Sequence, residues 1–279
     1  MIGEEQVPAA LAADSTPALR MHRAVEHVMG MPISLALRGR HADDQRGRWA
    51  WAEALAILRE ADRVFSTYRP GSCISRLGRG ELTLRECPAE VADVLALGEQ
   101  ARAESGGAFD IWRRSPGGER VFDPSGVVKG WAVERAARRL ASLPETDFCL
   151  CAGGDMVCHV ADPEAAPWRI GVEDPHHWDR VVAVIPVWRG AVATSGLNRR
   201  GAHITDARTG AVPAGVASVT VVADSLTWAD IDATAAFAQG EQALSWLAHR
   251  PGRRGVVVWA DGSAEVYDSV SPRDSVAPR

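Results

Sequence analysis

The sequence has little lysine, few cysteines and no long hydrophobic run. Lys129 is the only lysine among 31 basic residues, and 36 acidic residues give a formal net charge of −5. A mildly acidic chain has no general attraction for nucleic acid or for anionic membranes. We therefore expect no nucleic-acid partner, and we expect any anionic ligand to be held by local features.

The five cysteines show no C-x-x-C spacing, which argues against a disulfide framework or a zinc site. We predict that all of them are reduced. No stretch approaches the roughly 20 apolar residues that span a bilayer. The N-terminus is acidic and lacks the apolar core of a secretory signal. Together these features predict a cytoplasmic protein.

The apolar pattern indicates helices in the first half of the chain and mainly strands after residue 148. Helices are predicted over residues 49–64, 89–105, 127–140, 225–239 and 241–249. Strands are predicted over residues 33–37, 148–152, 156–161, 168–173, 181–188, 190–195, 217–223, 254–260 and 264–268. Residues 66–77 are predicted to form a loop.

Long strands with segregated helices are typical of an α+β fold built on antiparallel sheets. We predict one folded domain over residues 21–268. The small, polar and proline-bearing ends predict mobile tails at residues 1–20 and 269–279.

One predicted helix carries a carboxylate and a hydroxyl on the same face. Asp230 and Thr234 are four residues apart, the spacing of neighbours on a helix surface. Two such oxygens suit a hard cation such as Mg²⁺, which takes only a few ligands from protein. The alternative is structural, with Asp230 near the helix N-terminus and Thr234 bonded to a carbonyl. From this segment alone, the structural interpretation is favoured.

A second segment combines a glycine with the single lysine at a predicted helix start. Gly126 lets a ligand approach the backbone closely, and exposed N–H groups at a helix N-terminus attract phosphate. Lys129 adds a point charge for phosphate. The alternative is a capped helix whose Lys129 is solvated. The pattern G-x-x-K-G alone does not distinguish this alternative from a phosphate site.

A third segment, residues 202–210, mixes an imidazole, a carboxylate and a guanidinium before a turn glycine. His203 and Asp206 either contact a flavin or phosphate, or belong to a structural turn in which Asp206 bonds Arg208 or Thr209.

Smaller signals are a loop tyrosine, Tyr68, that could stack on a flat ring, and a tight turn at residues 152–155. The sequence around Ser195 lacks the pattern G-x-S-x-G, which excludes the nucleophile elbow of a serine hydrolase.

Taken in order, these segments resemble the ApbE family of FAD:protein FMN transferases. The resemblance extends from His27 to Ala235 and is carried by MG at 29–30, FSTYRPGSCISRL at 65–77, SGGAFD at 105–110, FDPSGVVKGWAVE at 122–134, AGGD at 152–155, GVEDP at 171–175, ATSG at 193–196, HITDARTG at 203–210 and SVTVVADSLTWADIDATA at 218–235. Each motif is weak alone, and their shared order makes the signal strong.

The resemblance implies an α+β fold with FAD as substrate in a central cleft and Mg²⁺, or Mn²⁺, beside its pyrophosphate. It implies that Asp230 and Thr234 bind the metal through side chains and Gly126 through its carbonyl. It also implies that FAD contacts Met29, Tyr68, Ala108, Phe109, Asp110, Asp123, Lys129 and His203. His203 and Asp206 match the loop at the reaction centre, and either is a candidate general base.

The chain departs from the family pattern at several positions. Met31 follows Gly30 where the family has threonine, IWRRSPGG replaces PTVGPL after Asp110, and Ala207 stands where proline is usual. The residues implied to bind metal are unchanged. These departures affect the expected shape of the cleft and the choice of acceptor.

The implied reaction moves the FMN half of FAD onto a threonine or serine hydroxyl of an acceptor flavoprotein, with release of AMP. A membrane-bound flavoprotein subunit is the acceptor that the resemblance suggests. Two alternatives remain open: an FAD pyrophosphatase that delivers water to the same bond, and a non-catalytic FAD-binding protein.

Overall fold

The computed structural model describes residues 21–114, 119–177, 179–196 and 204–269. Its strands are β1 (Met21–Val28), β2 (Met31–Gly39), β3 (Trp112–Arg114), β4 (Arg120–Phe122), β5 (Thr146–Ala152), β6 (Asp155–His159), β7 (Trp168–Glu173), β8 (Val181–Val187), β9 (Arg189–Gly196), β10 (Val216–Ala223), β11 (Arg254–Trp259) and β12 (Ala264–Asp268). Its α-helices are α1 (Gln45–Phe65), α2 (Cys73–Gly78), α3 (Ala89–Glu104), α4 (Ser125–Ala141), α5 (Leu226–Ala238) and α6 (Ala243–Leu247).

Eight strands form one sheet in the order β1-β2-β5-β6-β9-β10-β11-β12, and every neighbouring pair is antiparallel. Two short hairpins, β3–β4 and β7–β8, form separate two-stranded sheets. Strand β10 is buried along its whole length, as expected for a strand covered on both faces. The predicted α+β fold with antiparallel sheets is confirmed.

The two faces of the large sheet are covered differently. Helices α1, α4 and α5 join one face in the main core, whose largest fully buried side chains include Phe148, Phe237 and Leu58. A smaller apolar cluster on the other face joins Val192 and Val222 to Trp168 of the β7–β8 hairpin. Alternation along β9 explains this division, because Ala191 and Ala193 face the helices while Val192 faces the hairpin.

Two local predictions were incomplete. The predicted loop at residues 66–77 is wrong over its second half, where α2 forms because Ser72 caps it by accepting from the Ser75 N–H at 3.1 Å and Ile74 is buried. Helix α1 begins four residues before the predicted start, since the Asp44 carboxylate accepts from the Arg46 and Gly47 N–H groups. The β3–β4 hairpin was not predicted.

The predicted tails lie outside the described residues, except for Ser269, whose N–H donates to the Arg253 carbonyl at 2.8 Å. All five cysteines are free, as predicted. Across the described part of the chain, no helix has both the length and the hydropathy to cross a bilayer.

Helices α4 and α5 approach each other closely at a glycine. A Cβ atom added at Gly130 would lie 2.8 Å from the Leu226 carbonyl oxygen, 3.0 Å from Thr227 Cα and 3.1 Å from Asp230 Cβ. Only glycine leaves room for that approach, because two of the three atoms belong to the backbone and cannot rotate away. The contact sets the spacing of α4 and α5.

We predict that Gly130→Ala destabilises the protein by a net amount of up to ~2 kcal/mol. Alanine favours a helix by about 1 kcal/mol over glycine, but overpacking at this contact costs about 1–3 kcal/mol. Urea unfolding measures the difference. Gly71→Ala is the matched control, because a Cβ there meets no atom within 4 Å. Equal or higher stability of Gly130→Ala than wild type would contradict the close packing.

Candidate functional site

The single lysine of the chain lies between two buried carboxylates. Lys129, in the second turn of α4, places its Nζ 3.1 Å from Asp230 Oδ1 of α5 and in direct contact with Asp155 Oδ2. Asp230 is only 3% exposed and Asp155 only 2%. We call these three side chains the Lys129 cluster. The interpretation of Lys129 as a solvated helix residue is therefore wrong.

Asp155 is placed by the turn that starts β6. Gly153 and Gly154 both have positive φ, 61° and 108°, which turns the chain sharply after β5 and aims Asp155 at the helices. The Asp155 Oδ1 atom accepts from the Thr194 N–H of β9 at 2.9 Å. Asp155 thus links the centre of the sheet to α4.

The cluster contains two carboxylates and one ammonium group, so it is one positive charge short when both carboxylates are ionised. Burial raises the pKa of Asp230 to about 7, and nearby Asp155 adds to the rise although Lys129 opposes it. Burial disfavours the charged form of Lys129, but the two carboxylates outweigh it and raise its pKa above the ordinary value. Lys129 is accordingly a fixed cation, and Asp230 is the group that a second cation would neutralise.

Oxygen atoms of the kind that a hard cation prefers lie on successive turns of α5, at Asp230 and Thr234. Within the described part of the chain, Asp230 Oδ2 is buried and has no hydrogen-bond partner, and a buried unpaired carboxylate oxygen is costly. Thr234 lies one turn further along α5, with its Oγ1 3.0 Å from Ser195 Oγ of β9. Among the described residues, no group of three or more His, Cys, Asp or Glu side chains forms a metal site alone. A carboxylate, a hydroxyl and a carbonyl fit Mg²⁺, which completes its shell with phosphate and water.

Gly126 lies in the first turn of α4 and packs against Phe109. A Cβ atom added at Gly126 would lie 3.0 Å from the Phe109 ring, so a side chain would have to displace it. Gly126 and Gly130 are four residues apart and lie on one side of α4, and Gly130 faces Asp230 of α5. The structure thus brings the implied metal carbonyl and an implied flavin contact to neighbouring positions.

The loop that contains Asp206 docks on the segment after α3. The Ala207 N–H donates to the Ala108 carbonyl at 3.1 Å, and Arg208 also donates to the Gln239 side chain at 3.1 Å. The Asp206 carboxylate accepts from Arg208 Nε at 2.8 Å and from Nη2 at 2.8 Å. Asp206 therefore has the bond to Arg208 that the structural alternative predicted. His203 lies outside the described residues.

The other sequence-predicted residues lie at the ends of helices and strands or in the turns between them. Asp110 accepts from the Trp112 N–H at 2.8 Å, and Asp123 accepts from the Ser125 N–H at 3.1 Å at the start of α4. Met29, at the β1–β2 turn, has a left-handed φ of 57°, an uncommon conformation for methionine. Tyr68 is 95% exposed between α1 and α2. No described contact joins Tyr68 or Met29 to the Lys129 cluster.

Sequence reasoning missed two residues of this site, Asp155 and Ser195. Both lie in motifs that carried the resemblance, AGGD and ATSG, but neither motif shows by itself what its polar residue contacts.

A cavity of about 250 Å³ is lined by Gln100, Glu104, Trp228, Arg250, Pro251 and Arg253. None of the predicted site residues lines it, and its arginines pair with Asp232 and Glu104.

A family model described as the ApbE family matches residues 29–115 and 112–258. The chain belongs to the ApbE family. The matched ranges include every described residue of the site. The overlap of the two matched ranges falls at the β3–β4 hairpin, where the sequence departs from the usual pattern.

Curated ApbE relatives share modest identity with the chain. A Haemophilus influenzae protein named FAD:protein FMN transferase is 32% identical over 249 residues, covering 68% of this chain and 72% of that protein. A Vibrio cholerae protein of the same name is 34% identical over 134 residues, and that match spans only 44% of this chain and 40% of that protein.

Solved ApbE structures share the fold. The ApbE protein from Thermotoga maritima superposes with a TM-score of 0.75 at 22% identity, covering 90% of this chain and 98% of the other. The flavin transferase ApbE from Vibrio cholerae gives a TM-score of 0.73 at 22% identity, with 90% and 98% covered.

We predict that Lys129→Met destabilises the protein at neutral pH in the presence of EDTA. The loss should be about 2–3 kcal/mol, below the ~3–5 kcal/mol for a fully buried pair, because the Lys129 side chain is 21% exposed. Its cause is the pair of carboxylates left without a cation. Urea unfolding provides the measurement.

Arg59→Met is the matched control for that variant. Arg59 pairs with Glu26 at 3.7 Å on the surface, where both side chains are about half exposed, and such pairs contribute little, about 0–1 kcal/mol. An equal loss in the free energy of unfolding in Lys129→Met and Arg59→Met would show that the Lys129 cluster does not stabilise the fold.

Proposed function

We propose that this chain is an FAD:protein FMN transferase that requires a divalent cation. The observation that carries the proposal is the Lys129 cluster, a buried group one positive charge short with an unpartnered carboxylate oxygen. The chain that contains the cluster belongs to the ApbE family, and curated relatives in that family are named FAD:protein FMN transferase. Breaking a pyrophosphate demands neutralisation of negative charge, and this cluster suits that demand.

Asp230, Thr234 and the Gly126 carbonyl would hold Mg²⁺, with Mn²⁺ as an alternative. When bound, the ion neutralises phosphate charge and favours departure of the leaving group. Asp230 Oδ2, which has no hydrogen-bond partner among the described residues, supports this assignment, as does the position of Thr234 one helical turn away. Asp155 keeps the Lys129 ammonium at the site, where it attracts a phosphate oxygen.

The FAD substrate would contact the residues that the family resemblance implies. Lys129 supplies positive charge for the pyrophosphate, and the positive end of the α4 dipole, next to Asp123, adds to it. Ala108 and Phe109 support the packing of this region against α4 and the Asp206 loop. Met29, Tyr68, Asp110 and His203 complete the proposed set.

The transfer forms one bond and breaks another. The acceptor hydroxyl oxygen attacks the FMN phosphorus, the P–O bond to the AMP half breaks, and AMP leaves with the bridging oxygen. The hydroxyl proton passes to a base. His203 and Asp206 are the two candidates. The bidentate bond between Asp206 and Arg208 favours His203 as the base and Asp206 as the residue that orders the loop.

The acceptor is proposed to be a flavoprotein with a threonine or serine flavinylation site. A membrane-bound subunit is the kind of acceptor that the family resemblance suggests. The cytoplasmic location of the transferase is a separate prediction from the sequence.

Incubation with FAD, Mg²⁺ and a purified candidate flavoprotein tests the proposal. We expect covalent FMN on the acceptor, detected by in-gel fluorescence and intact mass, with one AMP released per flavin attached. Free FMN with AMP would indicate a pyrophosphatase instead. Unchanged FAD would indicate a carrier and contradict catalysis.

We predict that Asp230→Asn lowers kcat/KM by at least about 100-fold, since metal stabilisation is worth several kcal/mol. The fold should survive, because Asn keeps the shape of the side chain. Asp93→Asn, on an exposed position of α3, controls for loss of a carboxylate and should match wild type. Full activity of Asp230→Asn in Mg²⁺ would refute the metal assignment.

A further inference from the structure

We infer that Glu134 is a positioning residue that holds α5 in register with α4, and thereby keeps Asp230 in place for Lys129 and for the metal. The inference rests on the proposed function for its metal part only. Among the described residues, no contact joins Glu134 to a residue implied to bind FAD or metal, and Glu134 acts through the α4–α5 contact.

The Glu134 carboxylate replaces most of the N-terminal cap of α5. Its Oε2 atom accepts three hydrogen bonds, from Ser225 Oγ at 2.6 Å, Thr227 Oγ1 at 2.8 Å and the Thr227 N–H at 3.0 Å. The helix's own cap is weak, because Ser225 Oγ lies 3.4 Å from the Trp228 N–H. A carboxylate at a helix N-terminus is also favoured by the helix dipole.

The Glu134 cap and the Lys129 cluster lie about one turn apart along α4. Glu134 lies four residues after Gly130, so the two occupy the same face of α4. Gly130 admits Thr227 and Asp230 at close range, and Lys129 precedes Gly130 directly. Helix α5 is therefore fixed against α4 at two points one turn apart, and Asp230 lies beside the second.

Loss of the Glu134 carboxylate would release the first turn of α5. Thr227 would lose its acceptor for both the N–H and the hydroxyl, and Asp230 begins the next turn. Groups that orient a metal ligand typically change metal affinity by about 10–100-fold. Such an effect differs from simple destabilisation, which lowers the folded fraction without changing the affinity of the folded protein.

The side chain of Lys129, the single lysine, can be used to detect a change in the register of α5 relative to α4. Protein labelled with ¹³C-lysine gives one Lys129 side-chain signal, because the chain has no other lysine. We expect Glu134→Ala to shift the Lys129 ε-carbon signal in metal-free protein, since its distance to Asp230 changes. Glu134→Gln should stay near wild type, because the amide oxygen still accepts from Ser225 and Thr227.

Metal binding is then measured by Mn²⁺ titration followed by electron paramagnetic resonance. In the presence of FAD, we expect Glu134→Ala to weaken the Mn²⁺ Kd by about 10–100-fold. Activity should show a higher Mg²⁺ requirement with kcat largely restored at saturating Mg²⁺. Val257→Ala, which opens a cavity in buried strand β11, controls for destabilisation and should leave both the Lys129 signal and the Mn²⁺ Kd unchanged.

An unchanged Lys129 signal in folded Glu134→Ala would overturn the inference. So would a Mn²⁺ Kd equal to that of wild type. Should Glu134→Ala fail to fold, Thr227→Val removes one donor to the same carboxylate and should shift both readouts in the same direction by less. Wild-type protein that binds no Mn²⁺ with FAD would contradict the proposed function, while the metal-free Lys129 signal would still decide whether Glu134 sets the register.

Discussion

Lys129 of α4 contacts Asp155 of β6 and Asp230 of α5 in a buried ion cluster that ties the two helices to the sheet. Two carboxylates, each almost fully buried, share one ammonium group. Such a group is costly to bury unless its charges are matched, and here one charge is unmatched. A protein that retains this deficit fits a role in which the missing charge arrives with a bound cation.

The fold serves that cluster by bringing three distant segments together. The glycine turn before β6 aims Asp155 from the centre of the sheet, the first turns of α4 supply Gly126 and Lys129, and α5 supplies Asp230. The absence of a side chain at Gly130 lets the two helices approach closely enough for the ion pair. Helix packing, sheet order and one tight turn therefore contribute to a single electrostatic arrangement.

Much of this could be predicted from the sequence, and the exceptions have physical reasons. Periodicity identified α4 and α5, and the four-residue spacing placed Asp230 and Thr234 on one face. The role of Asp155 was not predicted, because it depends on the pairing of β6 with β9. That pairing is a long-range contact, which no local sequence pattern encodes. Helix α2 was missed because its six residues are too few to show a period. The β3–β4 hairpin lies where the chain departs from its family's pattern.

The most direct measurement is anomalous diffraction from crystals grown with FAD and Mn²⁺. We expect one Mn²⁺ peak in contact with the Asp230 carboxylate, the Thr234 hydroxyl and a phosphate oxygen of the dinucleotide, with Lys129 still beside Asp155. A dinucleotide bound without Mn²⁺ at Asp230, or Mn²⁺ bound only at another site, would contradict the account.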